Sequence, residues 1–440
     1  MTIFQIVTLL LFLMATFSLV NYKYFKLPHS IGLVIISLCT SVIVIAIDSS
    51  VPGGVLKPIF TDMVVQLDLQ HTLLNGVLCI LLFASALEAE FELLKKQRVA
   101  IITLATVGIL ISTFIVGALM YQGLAYVGIS IPFMYCLAFG ALISPTDPIA
   151  VLGLLKSVTV PDDLKAKIAG ESLFNDGAAV VAFTILLALA TGGDAHTPTD
   201  IPGIIKLFIA DAVGGVFVGA ITGYIAYESI KDVKDFSIKL SVTLALAAVT
   251  YVLAQMLHLS APIAVVVAGI LVGHRARSDL GTREDSESKH ASEHVRLFWE
   301  GLDSIFNSAL FLIIGFYVLV LALNNQTMVI GGIAILSALF ARWMSVALPM
   351  QILSLKVPIS EGAVNILTWG GLRGGISVAL ALSLPPNEFK PLILTATYAV
   401  VIFTIIIQGL TMKKLVLRYY PANTSDSESA AVTHTTHEGV

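Results

Sequence analysis

The chain has 440 residues, 57% of them hydrophobic and 12% charged; soluble domains carry about 25% charged residues, so a water-soluble enzyme is excluded and an integral membrane protein is indicated. The formal net charge of -4, with basic residues scattered over short loops, excludes a nucleic-acid partner. Cys39, Cys79 and Cys136 lie in apolar stretches without CxxC spacing, which gives neither a disulfide framework nor a zinc site.

Thirteen hydrophobic segments follow in chain order. Residues 3–20, 31–47, 73–87, 99–121, 131–155 and 168–190 make a first half, 207–226 stands alone, and 240–257, 262–272, 305–323, 328–353, 363–384 and 392–410 make a second. A full helical span takes about 17–25 residues, so 73–87 and 262–272 are short. No basic region or cleavage site accompanies the first segment, which therefore reads as a retained span. Residues 273–296 read as a charged cytoplasmic loop with His274, His290 and His294 solvated. The chain thus divides into a transmembrane domain, 1–415, and a short disordered cytoplasmic tail, 416–440, too poor in apolar side chains to fold alone.

Cytoplasmic loops are enriched in Lys and Arg, and that rule tests the count. Twenty of the 25 basic residues fall in one alternate set of loops and the tail, among them Lys95, Lys96, Arg98, Lys231, Lys234 and Lys239. The opposite set holds only Lys57, Lys206 and Lys390. The N-terminus is expected outside and the C-terminus inside.

Six ionisable residues sit inside segments, where each costs at least about 2.5 kcal/mol and marks function by default; Asp211, four residues from the outer end of its segment, reaches the headgroups, and five remain. They are Asp147 in SPTDP, Glu171 and Asp176 in ESLFND, Arg342 in FARWMS and Arg373 in GGLRGG. At 1.5 Å per residue, both aspartates lie about 12 Å deep and both arginines about 15 to 17 Å deep, so the charges converge on the midplane. Structural ion pairs between helices are the bland alternative. Ser172 and Asp176 share a helix face, as do Glu171 and Asn175, offset by about 100°. The first pair offers the oxygen ligands that hard cations prefer; Glu171 is left to pair with an arginine.

Pro145 and Pro148 break the fifth segment of the first half, and four glycines around Arg373 break the fifth of the second. Non-helical backbone at that depth must be buried or line a cavity. Breaks at matching places in two six-span halves separated by one helix are the inverted-repeat pattern of secondary transporters. Two other classes compete. An intramembrane aspartyl protease could use two aspartates at one depth, but the GxGD sequence of such enzymes is absent. A channel would need a filter or an acidic ring, and neither is visible.

SPTDPIAV at Ser144, ESLFNDGAAVV at Glu171, FWEGLDSIFNSALF at Phe298, Arg342 and GGLRGGISVALAL at Gly370 together resemble a bacterial sodium/proton antiporter of the cation:proton antiporter-1 family, which includes the animal sodium/proton exchangers. The resemblance runs from residue 1 to about 415. It implies an all-α membrane protein of about thirteen transmembrane helices in two inverted six-helix repeats, with broken helices crossing near the midplane. It implies that Asp176 is shared between Na⁺ (or Li⁺) and H⁺, that Ser172 and the backbone at Thr146 are further ligands and that Asp147 assists. Asn175 would brace the crossing, Glu171 would pair with Arg342, and Arg373 would offset negative helix ends. Asparagine before the key aspartate implies electroneutral exchange, one cation per proton. The resemblance further implies a homodimer in a bacterial cell membrane and no cofactor besides the transported ions. A K⁺/H⁺ antiporter of the same fold is the alternative substrate reading.

Overall fold

The computed structural model describes residues 2–50, 76–155, 158, 160–192, 201–282, 286–319, 324–355 and 359–421. Among these residues there are helices and no strands, as a chain with no water to satisfy its backbone in the bilayer requires. In chain order they are α1 (Ile3–Val20), α2 (His29–Ser50), α3 (Leu78–Glu88), the short α4 (Phe91–Lys96), α5 (Arg98–Tyr126), α6 (Phe133–Ile143) and α7 (Ile149–Leu155). Then come α8 (Asp162–Ala190), α9 (Ile201–Ile230), α10 (Phe236–Met256), α11 (Ala261–Thr282) and α12 (Ser286–Phe316). Last are α13 (Asn325–Ser354), α14 (Ala363–Trp369), α15 (Gly375–Leu382) and α16 (Lys390–Tyr419).

Every hydrophobic segment read from the sequence coincides, over its described residues, with one of these helices or with a broken pair of them; residues 73–75 of the third segment and 320–323 of the tenth lie outside the described residues. Nine helices among the described residues are long and apolar enough to cross a bilayer. The helices overrun the segments because a helix needs no apolar residues once it leaves the lipid. Residues 273–296 show this most clearly and correct the expected loop: α11 runs on to Thr282 and α12 starts at Ser286. Arg296 bridges Glu293 at 2.6 Å and Glu300 at 3.5 Å, spacings of three and four residues that support a solvated helix. His274 and His294 are not simply solvated either. Their rings pack on Phe91 (4.3 Å) and edge-on to Phe236 (5.9 Å). Helix α16 continues to Tyr419; tail residues 422–440 lie outside the described residues.

The helices pack in two groups. Helices α1 to α3 and α9 to α12 form one, α5 to α8 and α13 to α16 the other. The first is held by a stripe of small residues, Gly215, Gly219 and Gly223, spaced four apart on α9: a Cβ at Gly215 would meet the backbone of Ser260 just before α11, and one at Gly219 or Gly223 that of Ala264 or Ala268 within it. Without a hydrophobic drive between helices in lipid, such close backbone approach supplies the packing. Trp299, wholly buried, completes that group against Phe83 at 4.7 Å and donates Nε1–H to Thr243 Oγ1 at 3.1 Å. The second group contains six of the thirteen segments, including both broken ones, and clusters Val151, Ile366, Leu367 and Met412 beneath the breaks.

Candidate functional site

The first break runs from Ser144 to Pro148 between α6 and α7, the second from Gly370 to Gly374 between α14 and α15. Each leaves backbone groups without helical partners, and buried groups of that kind must be paired. The two breaks pair each other. Asp147 N–H donates to Leu372 O at 2.7 Å, fixing the crossing. Arg373, 2% exposed, donates from Nη1 to Pro145 O at 2.9 Å and to Ser144 O. A guanidinium thus sits on the carbonyl end of α6, where the helix dipole is negative.

Helix α8 supplies the remaining groups. Glu171, Ser172, Asn175 and Asp176 are all buried. Asn175 spans Thr146, donating Nδ2–H to its Oγ1 at 2.9 Å and accepting its N–H at 3.4 Å; the Ser172 hydroxyl donates to Thr146 O. Glu171 and Arg342 form a two-pronged ion pair, Nη1 to Oε1 and Nη2 to Oε2, the latter at 3.0 Å. Arg342 also donates to Leu367 O from Nε (3.2 Å) and Nη2 (2.8 Å), so it satisfies a terminal carbonyl of α14 and ties that half-helix to α8.

Asp147 is half-buried, and its Oδ1 accepts Ile149 N–H at 2.9 Å, which caps α7. Asp176 differs. It is 8% exposed, makes no hydrogen bond or ion pair among the described residues, and lies in electrostatic range of Asp147. The structure therefore brings all eight sequence-derived residues to one crossing: Asp147, Thr146, Ser172, Asn175 and Asp176 on one side, Glu171, Arg342 and Arg373 bracing it. Three carboxylates against two guanidiniums leave one negative charge at the crossing, which either one monovalent cation or one proton would neutralise. Carboxylate, hydroxyl and carbonyl oxygens are donors suited to a hard cation.

Sequence reasoning passed over two contributors. Asp303 falls two residues before the tenth segment, yet its Oδ1 is buried without a hydrogen-bond partner among the described residues, in range of Asp147, Glu88 and Glu300. Its signal was the helical register of the 298–311 stretch, in which Asn307 one turn on donates to Asp303 O at 2.9 Å. Thr404 opens a π-helical turn, Thr404–Gln408, in α16 and accepts Arg373 N–H at 3.1 Å. An uncharged residue in an apolar run gives no such signal.

Comparisons with known proteins identify the family and the fold. The family described as sodium/hydrogen exchanger, transmembrane, matches residues 8–418. The Na(+)/H(+) antiporter NhaP of Pseudomonas aeruginosa is 38% identical over 416 residues, covering 94% of this chain and 96% of the relative. NhaH of Halobacillus dabanensis, also a Na(+)/H(+) antiporter, is 34% identical over 406 residues, 90% of this chain and 92% of the relative. The solved sodium proton antiporter MjNhaP1 of Methanocaldococcus jannaschii shares the fold, with a TM-score of 0.72 over 96% of this chain and 100% of that one, at 19% identity. With a family match across nearly the whole length and relatives above 30% identity aligned end to end, the chain belongs to the sodium/hydrogen exchanger family.

Proposed function

We propose that the chain is a sodium/proton antiporter in which one Na⁺ (or Li⁺) and one H⁺ compete for Asp176 and are carried by alternating access. The observation that supports this most is the isolation of Asp176: a buried carboxylate with no counter-ion among the described residues, facing the break whose carbonyls and hydroxyls are already ordered. An isolated buried charge is costly, so the site holds either a proton or a cation. On cation entry, Ser172 turns its oxygen from Thr146 O to the ion, and Thr146 O becomes a ligand beside it, with Asp147 assisting. Asn175 holds Thr146 in register throughout. Glu171–Arg342 and Arg373 stay paired and keep the charge of the site at one, which supports the 1:1 ratio.

The six segments carrying both breaks move as one body against the other group. The breaks occupy the fifth place in each half, consistent with two inverted repeats. The asymmetry of basic residues supports an N-terminus outside and a C-terminus in the cytoplasm of a bacterial cell membrane, and family membership supports a homodimer. The test is exchange in proteoliposomes loaded with a pH dye: Na⁺ addition should dissipate a preset proton gradient at a rate indifferent to an imposed membrane potential. The Na⁺ concentration for half-maximal exchange should rise about tenfold per unit of acidification on the acid side of the optimum. A Na⁺ affinity that ignores proton concentration would refute competition at one carboxylate.

A further inference from the structure

On the face where α8 ends at Ala190 and α16 begins at Lys390, the two helix groups meet through a pair of tyrosines. Tyr317, just past the end of α12 in the first group, lies flat on Tyr398 of α16 in the second, with ring centroids 4.3 Å apart and planes 4° from parallel. Their exposures are 9% and 0%. Tyr398 is eight residues into α16, about 12 Å along the helix, whereas Asp176 is fourteen residues, about 21 Å, from the Ala190 end of α8. The stack therefore lies between the candidate ion site and this face. Phe311 and Phe316 of the first group and Phe139 and Phe183 of the second join one apolar cluster with it, so apolar side chains close the seam here.

Two groups in that seam are poorly placed for a plain core. The Tyr398 hydroxyl and, on the adjoining α15, the Ser377 hydroxyl are buried without a hydrogen-bond partner among the described residues. Burying a hydroxyl unpaired is costly, and an orphan in a native structure calls for an explanation. One arrangement explains both: when the groups separate, water reaches these hydroxyls, and the cost is confined to the closed state.

We propose that Tyr317 and Tyr398 form the gate of the ion path on this face. Closed, the stacked rings exclude water; parted, they leave the Tyr398 and Ser377 hydroxyls lining a hydrated route for a monovalent cation to Asp176. The basic residues make this the external face. The inference rests on the antiport reading above and assigns that reading its outer barrier.

The test uses the full-length protein with its three cysteines replaced and Tyr317→Cys/Tyr398→Cys introduced, joined by a short reducible cross-linker in proteoliposomes. Cross-linking should lower Na⁺/H⁺ exchange at least tenfold, reductant should restore it, and neither single-cysteine variant should respond. Exchange by the cross-linked pair at the reduced rate, or a pair too far apart to join, would overturn the gate. If the reduced pair and the unmodified protein both fail to exchange, the antiport reading itself falls, a distinct result. Tyr398→Phe provides a second measurement that keeps the ring and removes the orphan hydroxyl. Favouring the closed state, it should slow maximal exchange about threefold or more without raising the half-saturating Na⁺ concentration. An unchanged maximal rate would count against the proposal.

Discussion

The two broken helices solve the same problem with opposite chemistry. In Ser144–Pro148 the prolines remove donors, so the break presents acceptors: the carbonyls of Ser144, Pro145 and Thr146, and the Asp147 carboxylate. In Gly370–Gly374 the glycines leave room, and the break presents a donor, Arg373, whose guanidinium fills the carbonyls of the first. In the proposed mechanism the first break holds the cation and the second holds the first in place. A carboxylate face braced by a cationic one would then keep the site near neutrality, so that a single proton or a single cation tips it.

The sharpest way to break this comparison is to neutralise the side that carries the ion. Asp176→Asn should fold, since among the described residues its carboxylate makes no hydrogen bond or ion pair to lose, and should reduce exchange to background in the dye assay. Persisting Na⁺-driven proton movement would mean that the charge chemistry lies elsewhere. On the bracing side the order reverses. Glu171→Gln or Arg342→Met alone leaves a buried partner charge uncompensated, at about 3–5 kcal/mol of stability, and should appear as a large fall in melting temperature. Because the two side chains share one ion pair, the double variant should lose far less than the sum of the two; additive losses would deny the coupling.

A third change tests how tightly the breaks fit. A Cβ on Gly374 would run into the Asp147 carboxylate, with Cγ at 2.9 Å. Overpacking of this kind costs about 1–3 kcal/mol, here taken from the geometry of Asp147. Gly374→Ala should therefore raise the half-saturating Na⁺ concentration about tenfold while leaving the fold intact. Gly371→Ala meets the Arg342 side chain instead, with Nε at 2.5 Å, and should act on melting temperature more than on Na⁺ affinity. Identical effects of the two would erase the distinction between the breaks.

Much of this was legible before any coordinates, for a physical reason. Crossing lipid demands long apolar runs, so each segment announces itself; charge within such a run is expensive, so Asp147, Glu171, Asp176, Arg342 and Arg373 stand out; and proline or glycine marks where the helix fails. What stayed hidden is what costs little in sequence. Beyond the lipid a helix may carry any charge pattern, so 273–296 looked like a loop although Arg296 pairs within its own helix. A π-helical turn such as Thr404–Gln408 leaves the hydropathy of its segment unchanged. The stack of Tyr317 on Tyr398 joins residues 81 positions apart, and no local pattern couples them.

The mildest test compares two threonines of α16 that both anchor the second broken helix, one at the break and one away from it. Thr404 accepts the backbone N–H of Arg373 at 3.1 Å in a fully buried setting. Thr404→Val strands that donor, and an unmade buried hydrogen bond costs about 1–3 kcal/mol. Thr411 accepts Trp369 Nε1–H at 2.8 Å where the pair is only partly buried. In Thr411→Val the indole can turn to another partner, so about 0.5–1.5 kcal/mol of stability is at stake. The readouts should separate as well. Thr404→Val frees the residue whose guanidinium holds the Ser144 and Pro145 carbonyls, and should raise the half-saturating Na⁺ concentration along with its loss of melting temperature. Thr411→Val should lower melting temperature slightly and leave Na⁺ affinity where it was, because Trp369 ends the half-helix before the break. Equal shifts in affinity would place the control of the site in the whole of α14 rather than in the break itself.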